Sequence, residues 1–161
     1  SCVSEYCLEH LPPIPNEAWK DASSEPIYRL KKGVMRYFAQ PGKLEIDIAR
    51  YCEKHALEFS LWPYKDRFDI EIRFSDGEVW EMDAKAYHNA LSLCSKIKQD
   101  GGFPSGNYQY GFYVVPSEYT RNKVNYTTVV NKTLTSQHNV KCVTLAQIKK
   151  KINKKVGELN G

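Results

Sequence analysis

The chain has 161 residues, is 42% hydrophobic, 26% charged and 12% aromatic, and carries a net charge of +4. That is the composition of one globular domain with a real core rather than of a disordered chain. No apolar run approaches the roughly 20 residues that span a bilayer, and "SCVSEYCLEHLPP" lacks the basic and apolar regions of a secretory signal.

Residue 1 is Ser rather than Met, so the chain reads as a piece of something longer. Residues 1–27 look irregular, rich in turn and extended formers such as "LPPIPNE" and "DASSEP". They are read as a separate N-terminal segment, and 28–161 as one domain. Cys2, Cys7 and His10 lie close together there as a candidate Zn²⁺ site whose remaining ligand would lie upstream. Their C-x4-C-x2-H spacing matches no common zinc finger. Cys52, Cys94 and Cys142 fall inside apolar patterns, where reduced, buried thiols are expected.

"IYRLKKGVMRYF" alternates loosely, as an edge strand or hairpin. From Lys43 to about Ala56, apolar Leu44, Ile48, Tyr51 and Cys52 recur at helical spacing. "LEFSLWP" follows as a short strand ended by Pro63. Residues 68–85, "FDIEIRFSDGEVWEMDAK", read as a β-hairpin. "NALSLCSKIKQ" is a second helix closed by Gly101 and Gly102. "YQYGFYVVP" is the most strand-like run in the chain, and its aromatics fit a buried strand better than a stacking surface for bases. Residues 117–137 are polar and give no clear element. "NVKCVT" is a strand, and "LAQIKKKINKKV" a closing helix with Leu145, Ile148 and Ile152 on one side and a solvated basic face. The sum is an α/β (α+β) fold, one central mixed sheet flanked by helices.

The hairpin turn decides where its carboxylates go. A two-residue Asp76-Gly77 loop would split the apolar residues between both faces. A three-residue Ser75-Asp76-Gly77 loop puts Phe68, Ile70, Ile72, Phe74, Trp80, Met82 and Ala84 on one face. That register sets Asp69 opposite Asp83 and Glu71 opposite Glu81, with facing Cβ atoms about 4.5–5.5 Å apart. Lys85 is two residues beyond Asp83 on the same face. Carboxylates held that close raise each other's pKa or share a hard cation such as Mg²⁺. The plain alternative is a solvated polar face on which Arg73 and Lys85 balance the charge. Glu71 and Glu81 fit either an outer role beside such a cation or plain surface charge.

Asp69 on one strand, "DAK" (Asp83-Ala84-Lys85) on the next and an acidic helix before them resemble the PD-(D/E)xK nuclease superfamily. The order α-β-β-β-α-β also resembles its restriction-endonuclease-like core. Phe68 stands where that superfamily often has proline. The resemblance implies Mg²⁺ or Mn²⁺ held by Asp69, Asp83 and the Ala84 carbonyl, with Glu45 as the helix acid and Asp47 a weaker one. It implies that Lys85 orients the attacking water and stabilises charge on the phosphate. The span 28–150 is further similar to small restriction-endonuclease-like domains encoded beside prokaryotic Argonaute-related PIWI proteins and helicases in defence islands. The function implied is a cytoplasmic, metal-dependent DNA endonuclease acting against phage or plasmids. The alternatives are a catalytically silent nuclease-fold module that binds nucleic acid or partner proteins, and an unrelated interaction domain. Lys65, Arg67, Lys96, Lys98, Arg121 and Lys123 are candidate backbone contacts, each more readily read as ordinary surface charge, and His88 follows the motif in a loop. Action alone, as a homodimer or with a PIWI-like protein and a helicase all remain open.

Overall fold

The computed structural model describes residues 42–120 and 125–161, of which Leu44–Gly161 belong to one unit. The run expected as an edge strand or hairpin before Gly42, the Cys2, Cys7 and His10 group, Arg121 and Lys123 lie outside the described residues. Helix α1 is Lys43–Lys54 and strand β1 Glu58–Leu61. After a single turn at Pro63–Asp66 come β2, Ile70–Arg73, and β3, Val79–Ala84. Helix α2, Ala90–Gln99, leads to β4, Tyr110–Val115. A 3-10 turn at Ser117–Thr120 and helix α3, Tyr126–Thr133, precede β5, Val140–Thr144, and helix α4, Leu145–Asn160.

The strands lie in the order β1-β2-β3-β4-β5. The first three pair antiparallel and the last two join in parallel, so the sheet is mixed, as the element order implied. Hairpin register follows from the turn. Phe74 N–H donates to the Glu78 carbonyl (2.9 Å) and Gly77 N–H to the Phe74 carbonyl (2.9 Å). Gly77 takes φ 86°, the left-handed position of a three-residue loop. Ile70 therefore pairs with Met82, Glu71 with Glu81 and Ile72 with Trp80, the register the apolar face demanded.

Helices cover both faces. Leu44, Ile48 and Cys52 of α1 and Ile148 and Ile152 of α4 pack on Ile70, Ile72, Met82, Phe112 and Val114. Leu93 and Ile97 of α2 and Tyr126 and Val130 of α3 pack on Phe68, Tyr113, Val115 and Cys142. Helix caps agree with the sequence. Asn89 caps α2, whose far end closes with Gly102 N–H on the Ile97 carbonyl (2.8 Å) and Gly101 N–H on the Lys98 carbonyl (3.2 Å). Thr144 and Gln147 form a reciprocal capping box at the start of α4. Cys52, Cys94 and Cys142 are buried free thiols, as expected.

Three features depart from the sequence reading. First, the hairpin's acidic face is not solvated: Glu71 is 3% exposed and Glu81 1%. Tyr64 and Arg73 close over the Glu71 carboxyl, so the acids lie beneath side chains of the preceding turn and of the hairpin itself. Second, the alternation breaks at Asp69. Its N–H reaches the Met82 carbonyl (3.0 Å) although Met82 already pairs with Ile70. That local bulge turns Phe68 to the face opposite Ile70. Third, "YTTVVNKT" is a helix despite its β-branched content. Buried Tyr126, Val130 and Leu134, four residues apart, override propensity.

The same helix closes the sheet. Asn131 donates from Nδ2 to the Cys142 carbonyl (3.0 Å) and accepts the Cys142 N–H at Oδ1 (2.7 Å), so it occupies backbone groups that β4 does not reach. Asn131→Ala strands both groups and is expected to cost about 2–4 kcal/mol, read as a lower urea midpoint at unchanged slope. A loss under about 0.5 kcal/mol would show that water replaces the amide there without penalty.

Candidate active site

Three segments meet where β2 begins and β3 ends. Asp69 sits in the bulge, Asp83 and Ala84 finish β3, and Glu45 lies in the first turn of α1. The ladder ends at the Ile70–Met82 pair, so Asp69 and Asp83 are not opposed residues of it. The side chains converge all the same. Asp69 Oδ2 accepts the Ala84 N–H at 2.7 Å, which pins the carboxyl against the partner strand. Lys85 Nζ lies 2.6 Å from Asp83 Oδ1, and the Lys85 N–H is held by the Val114 carbonyl at 2.8 Å.

The electrostatics are those of carboxyls crowded out of water. Burial, with a smaller contribution from Asp69 within hydrogen-bonding reach, pushes the Asp83 carboxyl up to about 7 against the pull of Lys85. Glu45 is also raised, chiefly by burial, and it feels both Asp69 and Lys85. The structure thus brings Asp69, Asp83, Ala84, Lys85 and Glu45 into one neighbourhood. Among the described residues no set of three or more His, Cys, Asp or Glu side chains forms a ready cation cage. The oxygen donors at hand are two aspartates and a backbone carbonyl, with Glu45 behind them.

One step along the hairpin is a second acid pair. Glu71 accepts from Tyr64 Oη at 2.8 Å and from Arg73 Nη2 at 2.5 Å, and Arg73 also donates to Tyr64 Oη at 3.2 Å. Burial opposes ionisation of Glu71, but hydrogen bonds from Tyr64, Glu81 and Arg73 outweigh it, and its carboxyl titrates below the usual range. Glu81 is pushed up to about 8 by burial and then by Glu71. Its Oε2 is buried without a partner. Reading these two as surface charge is therefore corrected: both are interior groups on the α2 and α3 side of the sheet.

The basic candidates divide. Lys65 and Arg67 are exposed in the segment just before Asp69, and Arg67 Nη2 reaches Ser105 Oγ at 3.1 Å. Lys96 sits in the last turn of α2, with its ammonium 2.7 Å from Asp100 Oδ1. His88 packs its ring 4.2 Å from that of Tyr119. Phe112 and Tyr113 are core residues, as the strand reading held. Sequence reasoning passed over Tyr64 and Trp62, because Pro63 marks only the end of a strand. A Trp-Pro-Tyr run before a basic pair was the signal available.

A family model described as "REase associating with pPIWI_RE" matches residues 42–160, most of the chain. The chain belongs to that family. The resemblance read from Asp69 and "DAK" is thereby borne out, and the mixed sheet with flanking helices is that of a restriction-endonuclease-like core. Membership in a REase family is the ground for a nuclease reading of the domain. No curated protein matches this REase-family chain. None of its described helices is long and apolar enough to cross a membrane.

Proposed function

We propose that the domain is a Mg²⁺- or Mn²⁺-dependent DNA endonuclease whose catalytic groups are Asp69, Asp83, Lys85 and Glu45. One observation carries this reading: two aspartyl carboxyls, one raised to about 7, lie together with an ammonium 2.6 Å away. Crowded carboxyls of that kind suit a hard dication, which prefers one or two carboxylates plus water and phosphate oxygens and needs no larger protein cage. Asp69, Asp83 and the Ala84 carbonyl would hold it, and Glu45 would stand behind. When bound, such an ion supplies Lewis-acid polarisation of a phosphate oxygen and acidifies the attacking water.

The chain's own groups do the rest. The Ala84 N–H fixes the Asp69 carboxyl, so its free oxygen keeps one orientation. Lys85, tethered by Asp83 and backbone-anchored to β4, places positive charge where the phosphate gains negative charge. Water's oxygen forms the new P–O bond and gives up a proton to solvent, the ester P–O bond breaks, and the departing oxygen takes a proton from solvent. The family description supports a pPIWI_RE protein as partner. A helicase neighbour, a homodimer, a cytoplasmic site and a role against invading DNA extend the same reading.

The test is cleavage of plasmid, linear duplex and single-stranded DNA with Mg²⁺ or Mn²⁺, alone and with a pPIWI_RE protein, by wild type, Asp83→Ala and Lys85→Ala. Metal-dependent cutting lost in both variants is the expected outcome. Cutting that survives both would sink the assignment. A wild type inert with the partner present would make the domain a silent binding module.

A further inference from the structure

The segment Trp62–Arg67 carries an arrangement that the proposed chemistry does not use. Of the large hydrophobic side chains that stand exposed among the described residues, two are Trp62 (41%) and Tyr64 (58%). The Tyr64 ring is held by its own contacts, and Trp62 is fixed at its backbone. Trp62, Tyr64 and Lys65 hold φ of 51°, 55° and 60°, left-handed backbone that side-chain-bearing residues rarely adopt. Strain of this kind persists only where surroundings enforce it, and it gathers at ligand clamps and active sites. Here the enforcement is visible. Trp62 N–H donates to the Asp69 carbonyl at 2.9 Å, which fixes the turn directly beside the carboxylate pair. Tyr64 Oη is held by Glu71 and Arg73, and its ring stands edge-on to Phe68 with centroids 6.5 Å apart.

We infer that Trp62 and Tyr64 form a rigid stacking platform for unpaired nucleobases beside the cleavage site, with Lys65 and Arg67 receiving the flanking phosphates. The inference rests on the nuclease reading and names the substrate form that the site would favour. Rings that lose little freedom on binding are good stacking surfaces, because every base offers a π-face. The charges lean the same way: Lys65 and Arg67 outnumber the one carboxylate of the segment, Asp66, and two rings lie within the same six residues. A protein partner fits less well, since a stable interface needs about 800 Å² on each side, far more than one turn presents. The platform also gives the buried acids a purpose. Glu71 is the interior group that pins an exposed phenol, and Glu81 hydrogen-bonds to that group from the next strand.

The experiment uses the full chain carrying Asp83→Asn, so that probes are bound and not cut. Binding of a 12-nucleotide oligo-dT and of a blunt duplex of equal length is followed by anisotropy. Trp62→Leu and Tyr64→Leu are each expected to weaken single-strand binding roughly 5- to 100-fold, with duplex binding changed less than about 2-fold. Tyr64→Phe keeps the ring and is expected to lose less than about 5-fold. Tyr110→Leu, an exposed ring at the opposite end of the sheet, is expected to change neither. Thermal melting identifies any variant that fails to fold; if Tyr64→Leu does, Trp62→Leu and Tyr64→Phe decide. Equal losses on both probes, or single-strand binding unaltered by ring removal, would overturn the platform. Cleavage by the wild type without ring-dependent binding sinks the platform alone. Ring-dependent binding without any cleavage keeps the platform and sinks the nuclease reading.

Discussion

Lys85→Met is expected to lower metal-dependent cleavage by at least about 10²-fold while the protein still binds Mn²⁺. The ammonium 2.6 Å from Asp83 Oδ1 competes with a cation for that oxygen. Removing it leaves both aspartates in place, so metal affinity is held or rises even as the charge that steadies the phosphate disappears. Asp83→Asn is expected to behave differently, losing cleavage and metal together, because on the proposed reading its carboxyl would be a metal donor. The pair of variants separates a lysine that acts on phosphate from one that merely neutralises an aspartate. Mn²⁺ affinity by calorimetry and cleavage rate at saturating metal are the two readouts. Cleavage by Lys85→Met within about 3-fold of wild type would remove the lysine from the chemistry.

The second large effect concerns stability in the absence of metal. Glu81 is raised to about 8 and Asp83 to about 7, both above their ordinary values, so the fold favours their neutral forms. Their stabilising contribution is complete below about pH 4 and is lost as pH rises through about 7 and then 8. Metal-free protein is therefore expected to melt at lower temperature at pH 8.5 than at pH 6. Glu81→Gln removes the titration and offers Glu71 a permanent N–H donor. It is expected to raise Tm by roughly 5–10 °C at pH 8.5 and by much less at pH 6. Equal shifts at both pH values would show that Glu81 does not carry the dependence. Saturating Mg²⁺ is expected to shrink only the part due to Asp83, since the ion replaces the proton there.

How much of this was legible in the sequence follows from which forces act locally. Hairpin register could be read because two apolar sets and one glycine leave a single solution. Asp69, Asp83 and Lys85 could be named from a short motif, whereas the direct Asp69–Asp83 opposition expected from the register is replaced by the bulge, which leaves Asp69 beside Met82 and Ala84. The burial of Glu71 and Glu81 could not be read, since it involves Tyr64, brought over the hairpin by a turn whose left-handed backbone leaves no periodicity in the sequence. Helix α3 itself was hidden by Thr and Val, whose local preference runs against it, while the Asn131 clamp on Cys142 is a tertiary fact without periodicity. The bulge at Asp69 escaped for a related reason. Strict alternation was the evidence used to place Phe68, and a bulge is the point at which alternation fails.

The hairpin tip gives the site a mechanical character. Lys155 of α4 grips Asp76 at 2.6 Å and Glu78 at 3.1 Å, so the turn is clamped to a 16-residue helix. At the other end Asp69 is tied to Ala84 across the strands. A beam fastened at both ends cannot splay to let its carboxylates drift apart. The two carboxyls are kept close enough to share a proton, and on the metal-dependent reading proposed above a cation would take that proton's place without any strand having to move.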